Sequence, residues 1–394
     1  MKWEYKTLDQ LGTVSRGKSK HRPRNDPKLF GGKYPFIQTA DVKNADYYIT
    51  KYSDTYNESG LAQSKLWDKG TLCITIAANI ADTGVLAFPA CFPDSIMGFV
   101  PFEGVANTRF IKYCFDRLQR DCKQISQGTA QDNLSWEKLS TIKFCIPEYK
   151  EQCRIADILS AYDDLIENNQ KQIKLLEEAT QRLYKEWFVD LNFPGHENTK
   201  IVDGVPEGWS KSTVGNICKL RKVVITPDKI ESNTPYIGLE HMPRNDICLS
   251  TWGKSEEINS NKFIYLKKDV LFGKIRPYFH KVGFALNDGI TSTDTMVMVA
   301  DQNLWGLLLV TVSSDAFVDF SYQNCKEGAK MPRADWKQME KYAIMIADQA
   351  TQKLFEQEIL VITNKISALA FQCRSLREAR DRMLPKLMGG EVEA

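Results

Sequence analysis

Blocks of this chain recur about 200 residues later, and that recurrence restricts the fold more than any other feature. Trp136 answers Trp336, Phe36-Ile37 answers Tyr236-Ile237, and Gly128 answers Gly328; Leu176, Glu178, Ala179 and Arg182 answer Leu376, Glu378, Ala379 and Arg382. A period this long is no solenoid unit, so each copy is a module with its own core. Length alone allows two or three domains in 394 residues, and the duplication selects two.

Each copy reads as a strand-rich α+β stretch followed by one long helix. Short apolar, β-branched runs at 70–76, 84–88, 269–272 and 295–300 are bounded by Gly, Pro and Asp and read as strands. Helices are expected near 105–124 and 302–320. The tails are clearer. Ile155, Leu159, Tyr162, Ile166, Asn169, Ile173, Leu176, Thr180, Leu183 and Trp187 are spaced alternately four and three apart. So are Phe355, Ile359, Ile362, Ile366, Leu369, Cys373, Leu376, Arg380, Met383 and Leu387. A 3.5-residue period held for more than four heptads, with charges between, is the coiled-coil pattern.

These signals divide the chain into a first domain at 1–147, a helix at 148–190, a linker at 191–208, a second domain at 209–347 and a second helix at 348–390. Pro147 precedes the first helix and Phe193-Pro194-Gly195 ends it; Gly389-Gly390 ends the second. A lone amphipathic helix leaves its apolar seam in water, and the other copy supplies a matching seam. The linker carries Pro194, Gly195, Gly204, Pro206 and Gly208 and is too short to run back along a helix, so the expected pairing is antiparallel. At 1.5 Å per residue such a helix extends on the order of 55–60 Å, which would hold two domains at opposite ends of a spacer. Asn169, Thr180 and Arg380 either set the register of the seam or mark where it frays into solvent.

The 52 basic and 50 acidic residues nearly cancel, but not evenly along the chain. Residues 1–147 carry a net +5 and 209–347 a net +3, whereas 148–190 carry −4. That distribution suits two polyanion-contacting modules. Ten cysteines form no C-x-x-C pair and only four histidines are present, which fits reduced thiols rather than zinc or disulfides. No signal-peptide core or membrane-length apolar run is present, and a cytoplasmic protein is expected. Phosphate-binding, dinucleotide-binding and nucleophile-elbow motifs are missing. Glu148-Tyr149-Lys150 offers an E-x-K, yet the nearest upstream Pro-Asp is Pro93-Asp94 and the segment opens a helix. The chain therefore reads as a binding protein, with no catalytic residue, metal or cofactor assigned.

Three segments are candidates for polyanion contact. Residues 16–33 hold Arg16, Lys18, Lys20, Arg22 and Arg24 against the single acid Asp26, with Gly17, Gly31 and Gly32 expected to give flexibility to a phosphate-contacting arm. The glycine-bounded turn 273–283 contains Lys274, Arg276 and Lys281 beside Tyr278 and Phe279, and arginine can read guanine bidentately. The third segment is itself duplicated ahead of the repeated tryptophan: Gln127, Thr129, Gln131 and Asn133 in one copy, Lys326, Lys330 and Arg333 in the other. Glycine there allows close backbone approach, and amide side chains can read adenine. A solvated charged loop and a tight structural turn are the plainer alternatives.

Taken together, these features resemble the specificity subunits of type I restriction–modification systems. The likeness rests on the start of each copy (Trp3-Glu4-Tyr5-Lys6 and Pro206-Glu207-Gly208-Trp209), the glycine loop before Trp136 or Trp336, the exits Ile146-Pro147 and Ile346-Ala347, and the closing tail Arg382 to Glu391. It covers nearly the whole chain. It implies two target-recognition domains separated by an antiparallel coiled coil, each reading half of an interrupted site in double-stranded DNA. It also implies a non-catalytic chain that binds two methyltransferase (modification) subunits and, through them, restriction/translocase subunits, with no membrane partner. The competing reading is a structural adaptor with two protein-interaction domains on a coiled-coil spacer.

Overall fold

The computed structural model describes residues 3–76, 81–125, 136–325 and 331–392. They form two compact units: Met1–Ile166 with Ser375–Ala394, and Glu167–Arg374. Each unit thus contains one globular domain and a portion of both long helices.

In the first unit, Glu4–Lys6 pairs antiparallel with Phe144–Ile146, so the start and exit of the domain lie side by side. A five-stranded sheet follows in the order Gly12–Arg16, Ile96–Pro101, Leu72–Thr75, Thr83–Leu86, Tyr48–Ile49; only the last pair is parallel. The strand Leu72–Thr75 is buried throughout, which is why it reads as an unbroken apolar run. Successive side chains alternate between faces. Leu72 and Ile74 join the core under helix Thr108–Ile125, with Phe110 and Phe115, while Cys73 joins a second core with Trp67 and Phe92.

The second unit repeats this plan. Ser210–Thr213 pairs with Ala343–Ile346. Its five strands run Lys219–Leu220, Thr295–Val299, Val270–Gly273, Val282–Ala285, Cys248–Leu249, again with only the last pair parallel. Val270 and Phe272 enter the helix-side core and Leu271 the other. The duplication is therefore visible in topology and in core partition.

Two local features depart from the sequence reading. The expected helix over 302–320 is two helices, Trp305–Val312 and Asp315–Gln323. The break falls at Ser314, whose hydroxyl accepts the Phe317 N–H at 3.2 Å as an N-cap. The linker holds a small hairpin, Ile201–Val202 against Val205–Pro206. Asp203 and Gly204 turn it with φ of 53° and 74°, the left-handed pair favoured in two-residue turns.

The first long helix runs Tyr149–Tyr184 and closes in a π-helical turn, Lys185–Val189, four residues before Phe193. Its counterpart runs Gln349–Met388. In the first unit Ile155 and Leu159 share a core with Leu384 and Leu387, and Arg380 pairs with Asp163. In the second, Trp187 packs on Phe355 at 5.5 Å between centroids, and the Asn169 amide donates to Gln372 Oε1 at 3.2 Å. Within either unit, later residues of one helix meet earlier residues of the other, so the pairing is antiparallel. Every one of the heptad positions is buried or half-buried.

The polar seam positions do not fray. Asn169 is 2% exposed, and buried Thr180 returns its hydroxyl to the Glu177 carbonyl at 2.7 Å. Asp163, buried, also accepts from Tyr113 Oη at 2.5 Å. At the repeat-related positions stand Thr363 and Thr180, so the buried ion pair belongs to the first unit alone. Near its end the second helix contains Pro385, which has no N–H for the Asp381 carbonyl four residues back. Arg120 donates to that carbonyl instead at 3.0 Å, and Arg117 to the Met388 carbonyl at 2.7 Å. Both cations also complement the negative helix end.

Phe355 is fully buried against Trp187 and Phe188. Phe355→Ala is expected to cost about 3–5 kcal/mol in denaturant unfolding, while Leu354→Ala, 48% exposed, should change stability by less than about 0.5 kcal/mol.

Candidate nucleic-acid interface

The arm at 16–33 is folded down rather than loose. The Gly17 N–H donates to the Ile96 carbonyl at 2.9 Å, the Ser64 hydroxyl to the Lys18 carbonyl at 2.7 Å, and the His21 N–H to Gln63 Oε1 at 3.0 Å. The expectation that Gly17 supplies flexibility is corrected here. A Cβ at Gly17 would come within 2.2 Å of the Phe92 carbonyl oxygen, so glycine permits a close backbone approach. Arg16, Lys18 and Lys20 are exposed. Arg24 pairs with Asp94 at 2.7 Å; Arg22 donates to the Ser19 and His21 carbonyls at 2.5 and 2.8 Å. Lys65, which the sequence reading passed over, lies 3.5 Å over the Trp67 ring. Burial, then the nearby Lys18, pushes its ammonium below the usual lysine range.

In the second unit, two separately chosen segments come together. Ile275 and Arg333 form an antiparallel bridge; the Arg276 N–H donates to the Pro332 carbonyl at 2.8 Å and the Ala334 N–H to the Lys274 carbonyl at 2.9 Å. Lys274 and Lys281 spend their ammonium groups internally, on the carbonyls of Thr293 at 2.7 Å and Leu239 at 2.5 Å. Burial lowers the pKa of both. Arg333 pairs with Asp294. Residues 277–279 form a 3-10 hook flanked by Arg276 and His280, each in the left-handed region at φ 50°. Gln127, Thr129, Gln131, Asn133, Lys326 and Lys330 lie outside the described residues.

Sequence reasoning missed Arg244, whose guanidinium lies 3.9 Å over the Phe279 ring. The available signal was divergence within the repeat: Arg244 stands where the first copy has Asn44, two residues before the shared Asp46 and Asp246.

It also missed how the long helices hold these loops. Glu177 Oε1, on the first long helix, accepts the backbone N–H groups of Ile247 and Cys248 at 2.9 and 3.0 Å, and Lys174 pairs with Asp246 at 3.2 Å. In the first unit the corresponding bridge is Arg377 to Asp46 at 2.9 Å. Each domain's own helix grips the start of an interior helix. Gln152 accepts the Asn107 N–H at 3.1 Å, and Glu356 accepts those of Gly306 and Leu307 at 2.6 and 3.0 Å. The latter places a carboxylate at the positive end of helix Trp305–Val312.

Two duplicated α+β domains, each fastened at several points to one antiparallel helix pair and each carrying a cluster of basic side chains, define a class of paired recognition modules on a helical frame. The model of the type I restriction modification DNA specificity domain matches residues 1–178. The chain is 25% identical to the type I restriction enzyme MjaIX specificity subunit of Methanocaldococcus jannaschii, over 99% of this chain and 93% of the relative. It is 20% identical to the Escherichia coli EcoDI specificity subunit over 86% and 76%. A crystal structure of the type I restriction-modification S subunit from M. genitalium shares the fold, with TM-score 0.59 at 16% identity over 98% of this chain and 96% of its own. The chain thus resembles the type I restriction–modification specificity subunits. The matching domain model is named for DNA specificity, and these relatives are named as specificity subunits. Among the described residues no helix is long and apolar enough to cross a membrane.

Burial, reinforced by Asp246 and opposed by the two backbone amides, pushes Glu177 up to about 7. A carboxyl raised in the folded state gives stability that is complete below its unfolded pKa of about 4.3 and is lost as pH rises through about 7. Glu177→Gln keeps an acceptor but cannot ionise. Its melting temperature is expected to gain on the wild type as pH goes from about 5 to 8; a difference that stays constant with pH counts against the assignment.

Proposed function

We propose that each domain reads one half of an interrupted, asymmetric site in double-stranded DNA, and that the helix pair sets the gap between the halves. One observation carries this reading: the two domains repeat a single topology on shared antiparallel helices, yet differ in their cations. The frame is duplicated and the recognition surface is not. Arg16, Lys18, Lys20, Arg22, Arg24, Gln127, Thr129, Gln131 and Asn133 serve the first half-site. Lys274, Arg276, Lys281, Lys326, Lys330 and Arg333 belong to the second domain's surface, where Lys274 and Lys281 brace the loops. The chain docks two methyltransferase subunits and, with them, restriction/translocase subunits. The names of its relatives as restriction-enzyme specificity subunits support that partnership. The chain itself needs no cofactor.

Insertion of one heptad into each long helix, at the facing positions Asn169 and Gln372, adds about 10 Å. Sequencing of methylated sites in the host genome is expected to show a gap longer by about three base pairs, with both half-sites unchanged. An unchanged gap rejects the ruler. Affinity of the complex with its modification subunits for a cognate duplex should also fall with salt, by about 0.9 log units per log unit of salt for each phosphate neutralised.

A further inference from the structure

The second domain, residues 209–347, contains four arginines: Arg221, Arg244, Arg276 and Arg333. Two are neutralised. Arg221 forks onto Asp269, with Nε and Nη2 at 2.8 and 3.3 Å from its oxygens, and Arg333 pairs with Asp294. The other two share one ring. The guanidinium carbons of Arg244 and Arg276 lie 3.9 and 5.8 Å from the centroid of Phe279.

An aromatic face holds a guanidinium without consuming its in-plane N–H donors. A carboxylate would occupy them. Arg244 is exposed and Arg276 half-buried, so both forks keep donors for a ligand. The ring is itself braced: Tyr278 meets Phe279 edge-on at 4.8 Å, and Tyr322 meets Tyr278 at 5.2 Å. The backbones carrying the two arginines are tied together. The Asn245 N–H donates to the His280 carbonyl at 3.1 Å, and His280 Nε2 reaches the Ser313 carbonyl at 2.9 Å. Lys174 and Glu177 then fix residues 246–248 to the first long helix.

A lone exposed cation is enough to hold a phosphate, although a guanidinium fork can also grip one bidentately. Two planar forks on a shared, braced ring provide directional, paired donors, the geometry that distinguishes a guanine edge with its O6 and N7 acceptors. We propose that Arg244 and Arg276, gathered at the Phe279 ring, are the specificity-determining pair of the second domain, each donating two hydrogen bonds to a guanine in the half-site that domain reads. The assignment rests on the DNA-recognition reading above. The first copy has Asn44 in place of Arg244, so the device belongs to one half-site only.

The test uses the full chain with its modification subunits in the host, and sequencing of methylated sites. Arg244→Lys and Arg276→Lys keep the charge but lose the fork. Each is expected to relax one G·C position of a single half-site, the same half for both, with discrimination falling roughly 10- to 100-fold, while the other half-site stays intact. Phe279→Leu should relax both positions together. Lysine variants that keep the full motif and lose only affinity, evenly across sequences, would make these arginines phosphate contacts and overturn the proposal. A wild-type motif with no G·C pair in one half and unaltered by either lysine variant in the other overturns it as well. If Phe279→Leu fails to fold, the two lysine variants decide alone. If the wild-type complex yields no bipartite motif at all, it is the DNA-recognition reading that fails.

Discussion

The antiparallel seam between the two long helices is the interaction on which the rest depends. Neither helix could remain in water alone with its apolar stripe exposed, and each supplies what the other lacks. The pairing does more than bury area. Because the helices run in opposite directions, the beginning of one and the end of the other lie together, so each domain is gripped by both. Gln152 and Arg377 reach the first domain; Glu356, Lys174 and Glu177 reach the second. The grip falls on backbone amides, helix starts and loop acids. A loop held in this way would give up little additional freedom on binding a ligand, which is the physical basis of preorganisation.

Polar groups within the seam make it specific. An apolar 3.5-residue stripe tolerates a shift of one heptad at small cost, whereas buried Asn169 and the buried pair Asp163–Arg380 have partners in one register only. The ion pair has no equivalent at Thr363 and Thr180. The seam is thus chemically different in the two units although the repeat that built it is the same, and a helix pairing with a second copy of itself would separate Asp163 from Arg380.

What could be read from sequence was what depends on side-chain period. The heptads gave the helices and their pairing, and the buried run at 72–75 gave a central strand. Punctuation was harder. The break at Ser314 lies inside a stretch apolar enough to look continuous, and the Asp203-Gly204 turn lies inside a segment whose composition reads as linker. The clamps at Glu177 and Glu356 are illegible for a different reason: a glutamate beside the apolar seam shows no partner until backbone amides such as those of Ile247 and Cys248 are brought to it. In the turn at 273–283 composition gives the cations but not that the Lys274 and Lys281 ammonium groups donate to the carbonyls of Thr293 and Leu239, and Arg244 is marked only by its difference from Asn44. Charge counts locate cations without saying which of them are already spent.

The core of the first domain also has an unusual timetable. Leu384, Leu387 and Met388 pack with Ile155, Leu159 and the sheet, although they are made more than about 200 residues after Leu159. On the ribosome that domain emerges first yet is finished last. Until the second helix arrives, its underside is an open apolar surface, the kind of transient exposure on which chaperones act. The second unit, whose residues form one continuous stretch from Glu167 to Arg374, has all of its parts in hand earlier. Order of synthesis and order of completion are therefore reversed between the two copies.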